Sequence, residues 1–217
     1  MTYKIVADSS SDLTPAFFQD ETAFSYGVVP MYLNGPGGVS FVDLEPTPAS
    51  HFYEKPREIK GSWSTSCPSP AAYLKEMQGA DCCFAVTISS RLSASYSTAC
   101  MAADMARAEN PEAKIHVVDS KATSGSMALL IYKLGELIRQ QLPFEEIVTR
   151  IEEYRKSLTL FFLIGSLDTL VSAGRMNRAV GMMASMLNIH PLCGEDGEGN
   201  IKIYQKVRGM TQALNRL

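Results

Sequence analysis

The chain has 217 residues, 46% of them hydrophobic and 20% charged, with a net charge of −3 from 20 basic and 23 acidic side chains. These values sit near globular averages, so the chain can bury a core without metals or disulfides, and disorder is not the expected state. Nucleic acid is excluded as a partner for want of a basic excess, and stable membrane insertion because no apolar run reaches the ~18 residues of a span.

The first eight residues lack the apolar stretch of a signal peptide, since Asp8 and a run of serines follow at once. The five cysteines, Cys67, Cys82, Cys83, Cys100 and Cys193, include no Cys-x-x-Cys pair. Reduced thiols in the cytoplasm are therefore expected, with the adjacent Cys82 and Cys83 packing as small hydrophobes.

In chain order, residues 3–7 read as a short apolar strand. A helix is expected from Pro15, with Thr14 as N-cap, and the same Thr/Ser-Pro device recurs at Thr47-Pro48 and Ser69-Pro70. Residues 26–33 read as a second strand, closed by an Asn34-Gly35 turn. Residues 82–88 and 115–118 are apolar on both faces, as suits a parallel sheet covered by helices. Helical patterns follow at 95–107, 124–141 and 144–156. This alternation predicts a doubly wound, mainly parallel α/β domain over 1–157. A smaller, incomplete α/β second domain is expected over 158–217. It comprises an apolar strand at 158–164, a short helix, a Met-rich helix at 178–187, and two strands, 190–194 and 201–207, joined by a glycine-containing turn.

Ligands of open parallel sheets bind beyond the carboxyl ends of the strands. Hydroxyls gather there in Ser9-Ser10-Ser11-Asp12, in Ser89-Ser90-Arg91-Leu92-Ser93 and in Asp119-Ser120, and a fourth set, Ser64-Thr65-Ser66, precedes Pro68. Such groups suit a small anion. Any one of them equally suits helix capping alone. No Gly-x-Gly-x-x-Gly, Walker or Gly-x-Ser-x-Gly motif occurs. His51, His116 and His190 are scattered, so no metal site is expected. Asp8 and Asp12 leave a rival reading open, a hydrolase acting on a phosphate or ester through that loop.

Seven segments in order resemble motifs of the DegV family. They are Ala7-Asp8-Ser9-Ser10-Ser11-Asp12-Leu13, Thr65-Ser66-Cys67-Pro68-Ser69-Pro70, Ile88 to Tyr96, Val118-Asp119-Ser120-Lys121, Gly174-Arg175-Met176, Leu187-Asn188-Ile189-His190-Pro191 and Lys206-Val207-Arg208-Gly209. Cys67 stands where the family's segment has Gln, and Arg91 and Ala94 stand where glycines are usual.

The resemblance implies a two-domain protein that binds one fatty acid between its domains. It implies no catalysis of its own and no cofactor beyond the bound lipid. By motif match, Thr65 and either Ser93 or Ser90, with Ser93 preferred, hold the carboxylate, and Ser66 and Arg208 complete the ligand set. The resemblance also implies a fatty-acid kinase as partner, which converts the presented acid to an acyl phosphate for phospholipid synthesis. Arg175 is then a kinase or phosphate contact, its alternative role being to complement a helix dipole. Met176, Met182, Met183 and Met186 could line a tail slot, core packing being the alternative. Family members run several tens of residues further, so the second domain is expected to be shortened. That shortening favours self-association through 158–217 or tight packing of the segment on the first domain.

Overall fold

The computed structural model describes residues 1–44, 47–164, 167–176 and 189–217, grouped into two units, Met1–Ser157 and Leu158–Leu217. In unit one the strands are β1 (Tyr3–Asp8), β2 (Ser25–Val29), β3 (Tyr32–Asn34), β4 (Ser40–Val42), β5 (Ser64–Ser66), β6 (Cys82–Thr87) and β7 (Lys114–Asp119). Its helices are α1 (Lys55–Glu58), α2 (Pro70–Met77), α3 (Ser95–Glu109), α4 (Gly125–Arg139) and α5 (Phe144–Ser157).

The main sheet is parallel throughout, in the order β2-β1-β6-β7. Every residue of β6 is buried, as expected for a strand covered on both sides. The two-residue period of the strands divides the core. Val6, Val29, Cys83, Ala85 and Ile115 pack with Tyr73 and Met77 of α2 and the alanines of α3. On the other face Phe84 stacks on Phe144 of α5 with ring centroids 4.8 Å apart, and α4 covers β1 and β6. This is the doubly wound arrangement. The chain moves from β1 outward to β2 and, after returning beside β1 at β6, outward the other way to β7. The β1/β6 pair is therefore the topological switch point, the place where sheets of this kind bind their ligands beyond the carboxyl ends.

Three local expectations are corrected. The strand expected over 26–33 is two strands in different sheets, because Pro30 follows β2 and has no N–H with which to extend its ladder to β1. β3 instead forms an antiparallel sheet of order β4-β3-β5, with Thr65 opposite Leu33 and Ser66 opposite Tyr32. The helix expected from Pro15 is a single 3-10 turn, Pro15–Phe18, and Thr14 makes no side-chain cap. At Thr47-Pro48 only a 3-10 turn, Ala49–Phe52, and the four-residue α1 follow. Ser69 does cap α2, accepting from Ala72 N–H at 3.2 Å, with Pro70 at the first helical position.

In unit two, β8 (Phe161–Leu163), α6 (Asp168–Ser172), β9 (Ile189–Glu195), β10 (Ile201–Arg208) and α7 (Met210–Leu214) are described. The sheet is antiparallel, in the order β10-β9-β8. Met176 is buried with Leu167 and Cys193 in the core of this unit. The packing role thus holds for Met176, while the Met-rich stretch 178–187, with Met182, Met183 and Met186, lies outside the described residues.

Phe84 is fully buried and holds α5 to the sheet through its stacked partner. Phe84→Ala should lower unfolding free energy by about 3–5 kcal/mol, read as a reduced urea midpoint with an unchanged slope.

Candidate functional site

The loops after β1, β6 and β7 are joined by a buried carboxylate. Asp8 ends β1 and is 0% exposed. Its Oδ2 accepts from Ile88 N–H at 2.9 Å and from the Tyr73 hydroxyl at 3.3 Å, and its Oδ1 accepts from Ser10 N–H at 3.2 Å and from the Ser10 hydroxyl. Ser10 C=O in turn accepts from Ser124 N–H at 2.7 Å, and the Ser124 hydroxyl donates to Asp12. Burial pushes the Asp8 carboxyl above its ordinary range, and its hydrogen bonds pull it only part of the way back. Burial, and then the charge of Asp8, raises the Tyr73 phenol as well.

The structure assigns Asp8 to anchoring. A nucleophilic or general-base carboxylate must reach a substrate, and this one has no surface and four donors from protein. The hydrolase reading through Asp8–Asp12 gains no support.

The serines divide by where their single hydrogen goes. Ser90 donates its hydroxyl to Asp119 Oδ2 at 2.6 Å and its N–H to Oδ1 at 3.0 Å, so its donor is consumed within the protein. Ser9 accepts from Met31 N–H at 3.0 Å, and Ser11 meets the Tyr26 hydroxyl at 3.3 Å. Ser93 closes a turn, its N–H donating to Ser89 C=O at 3.1 Å. Its Oγ accepts from Ser95 N–H at 3.2 Å and lies 3.0 Å from Ser95 Oγ. A hydroxyl facing another hydroxyl can redirect its hydrogen to an arriving acceptor, which Ser90 cannot do without giving up a charge-assisted bond.

Thr65 and Ser66 lie exposed on β5. Successive strand residues point to opposite faces, so these two side chains diverge. Ser66 Oγ accepts from Asn34 Nδ2 at 3.0 Å. The small sheet is tied to the loop ends through Met31, immediately before β3. Met31 N–H reaches Ser9, and its sulfur accepts from the Ser95 hydroxyl at 3.7 Å. Thus the loops bearing Ser90 and Ser93 and the sheet bearing Thr65 and Ser66 meet one group, Asp8, Tyr73, Ser95 and Met31. Tyr73, Ser95 and Met31 carried no motif signal of their own beyond membership of longer segments, and only the fold shows their convergence.

Arg175 and Arg208 belong to unit two, and both are exposed. Gly174, with φ of +72°, ends α6, and Arg175 N–H donates to Leu170 C=O at 2.8 Å. The Arg175 guanidinium donates to Ala173 C=O at 2.6 Å, as the dipole role requires. Arg208 ends β10 opposite Ile189. His51 packs on Phe41, and His116 pairs with Glu152 at 3.1 Å. His190 Nδ1 is buried without a hydrogen-bond partner among the described residues. Among those residues no group of three or more His, Cys, Asp or Glu could hold a metal ion, and no helix is long and apolar enough to cross a membrane.

A model of the family described as "Uncharacterised protein, DegV family" matches residues 2–217. A DegV domain-containing protein of Streptococcus gordonii is 36% identical over 219 residues, covering 99% of this chain and 76% of that protein. Among solved structures, the fatty acid kinase (Fak) B3 protein of Streptococcus pneumoniae, loaded with linoleic acid, matches with a TM-score of 0.91 and 33% identity, over 100% of this chain and 76% of that one. A DegV family protein from Eubacterium eligens loaded with heptadecanoic acid matches with a TM-score of 0.90 and 27% identity, over 99% and 76%.

The Asp8 anchor makes a signed prediction. A carboxyl raised in the folded state favours folding below its unfolded pKa and loses that contribution as pH climbs to the folded value. The stability advantage of wild type over Asp8→Asn should therefore shrink as pH rises from about 4 towards neutrality. Urea unfolding of both proteins across that range measures it, and an advantage that grew with pH would mean the donors outweigh burial.

Proposed function

The chain belongs to the DegV family, and from that membership and the spare hydroxyls at its strand ends we propose that it binds a long-chain fatty acid. Ser93 and Thr65 hold the carboxylate, and apolar surface takes the tail. Two of the similar structures carry bound fatty acids. The observation in this chain that carries the reading is the contrast between Ser90, whose hydrogen is spent on Asp119, and Ser93, whose hydrogen can be redirected.

The energetics suit such a ligand. Each buried CH₂ contributes about 0.8 kcal/mol, so ~15 of them supply on the order of 12 kcal/mol before association costs. The head group then needs few partners, chiefly so that no carboxylate is buried unpaired. Neutral hydroxyls meet that need and leave the acid available to a second protein. The proposed setting is the cytoplasm, and the proposed role is presentation of the acid to a fatty-acid kinase, with no chemistry performed by this chain and no cofactor. Ser66 and Arg208 are secondary candidates for the head group, Ser66 through its backbone because its side chain diverges from Thr65.

Mass spectrometry of a solvent extract of the purified protein should show a stoichiometric fatty acid. Thr65→Val and Ser93→Ala should each weaken binding about tenfold to a hundredfold, the worth of one hydrogen bond to a charged acceptor, while Ser90→Ala has a smaller effect. Equal affinities in all four proteins would remove this head-group site.

Arg175→Ala should leave fatty-acid affinity unchanged and slow phosphorylation of the bound acid by the cognate kinase. Unchanged phosphorylation would remove the kinase-contact role of Arg175.

A further inference from the structure

The loops that would receive an anionic head group are themselves acidic. The segments following β1, β6 and β7 carry Asp8, Asp12 and Asp119 against two cations, Arg91 and Lys121. With every acid ionised, that end of the sheet holds one excess negative charge, which a carboxylate must approach. Arg91 sits at the tip of the turn that Ser93 N–H closes onto Ser89 C=O at 3.1 Å. Its own N–H donates to Ser89 Oγ at 3.2 Å, so the backbone at the tip is held. Its side chain is exposed. Among the described residues the guanidinium makes neither an ion pair nor a hydrogen bond, although Asp119 accepts from the adjacent Ser90.

We propose that Arg91 is a specificity-determining residue, whose unpaired charge beside Ser93 offsets the acidic loops and selects ionised head groups over neutral ones. The inference rests on the fatty-acid reading above and narrows it to the ionised form. Three features carry it. The cation belongs to the residue two positions before the hydroxyl assigned to the carboxylate, on the same turn, and charge acts over ~10 Å at moderate salt. Its backbone is held on a closed turn, so the side chain starts from a fixed point beside Ser93. It has no internal partner to neutralise it, so its field is available to a ligand. A guanidinium also suits carboxylate and phosphate geometry better than an ammonium does, so the same side chain serves the acid and any phosphorylated form of it. Removing Arg91 would leave two excess negative charges at the entrance, slowing the approach of an anion as well as weakening its binding.

The test compares linoleic acid with linoleyl alcohol, which shares the tail and lacks the charge, on wild type, Arg91→Gln, Arg91→Glu and Ser93→Ala. Affinities are measured in low salt and in 1 M sodium chloride. Arg91→Gln should bind the acid about two- to fivefold more weakly, and Arg91→Glu about tenfold more weakly, as befits an exposed charge. The alcohol should bind both variants as it binds wild type. The acid-to-alcohol ratio of each Arg91 variant should return to that of wild type in 1 M salt, where the screening length is ~3 Å, whereas the loss in Ser93→Ala should persist. An unchanged acid affinity in Arg91→Glu at low salt, or an equal loss for the alcohol, overturns the role of Arg91. If wild type binds neither ligand, the fatty-acid reading falls and this inference with it. If Ser93→Ala alone loses the acid, the reading stands and only the inference fails.

Discussion

The carboxylate of Asp8 has no contact with solvent, and the carboxyl edge of the main sheet is organised around that constraint. An ionised group in an apolar interior is tolerated only when its oxygens are met by donors. Here the donors come from Ser10 in its own loop, from Tyr73 on α2 and from Ile88 beyond β6. They lie 2, 65 and 80 residues away, so they can be assembled only once α2 and β6 have docked on β1. The loop after β7 joins through Ser124 N–H on Ser10 C=O. Four segments distant in sequence are thereby fixed to one atom group, and the loops gain rigidity they could not draw from their own serine-rich composition.

That rigidity explains how neutral hydroxyls can form a head-group site. A serine on a free loop would lose rotamer and backbone freedom on binding, and much of a hydrogen bond's worth would go to ordering it. Ser93 is already held by the turn onto Ser89 and by Ser95 N–H. The adjacent Ser95 is itself buried and touches Met31. Only the direction of one hydrogen remains to be chosen when an acceptor arrives. The site is in this sense preorganised by atoms that never meet the ligand.

The architecture was legible where burial on two faces left a continuous apolar run, as in β6, and where a cap and a proline coincided, as at Ser69-Pro70. Thr14-Pro15 shows the same letters without the same result. The capping residues were present, but Pro15–Phe18 is followed directly by the turn into β2, with no room for an amphipathic helix. The three short strands β3, β4 and β5 were not legible as a sheet. Each has three residues, too few to show a period, and the pairing of β3 with β5 joins residues as far apart in sequence as Tyr32 and Ser66. Thr65 and Ser66 were found through motif resemblance, and it took the strand itself to show that their side chains face opposite ways.

The Asp8 loop shows why a hydroxyl-rich strand end is ambiguous until its hydrogens are counted. Residue types alone allow a nucleophile, a cap or a ligand site, because aspartate and serine serve all three. Position in the sheet does not separate them, since enzymes and binding proteins use the same switch-point crevice. Each serine has one hydrogen to give and each ionised aspartate only lone pairs, and this does separate them. Where the hydrogen ends on a protein acceptor at short distance, as from Ser90 to Asp119, the group is structural. Where an acid is enclosed by donors, as Asp8 is, it cannot also meet a substrate. What remains is a hydroxyl that reaches the surface and whose partner is another hydroxyl, as Ser93 is and the fully buried Ser11 is not; there a new acceptor can enter without breaking a charge-assisted bond. On that criterion the loop after β6 contributes Ser93 in preference to Ser90, and the loop after β1 contributes the framework that holds it.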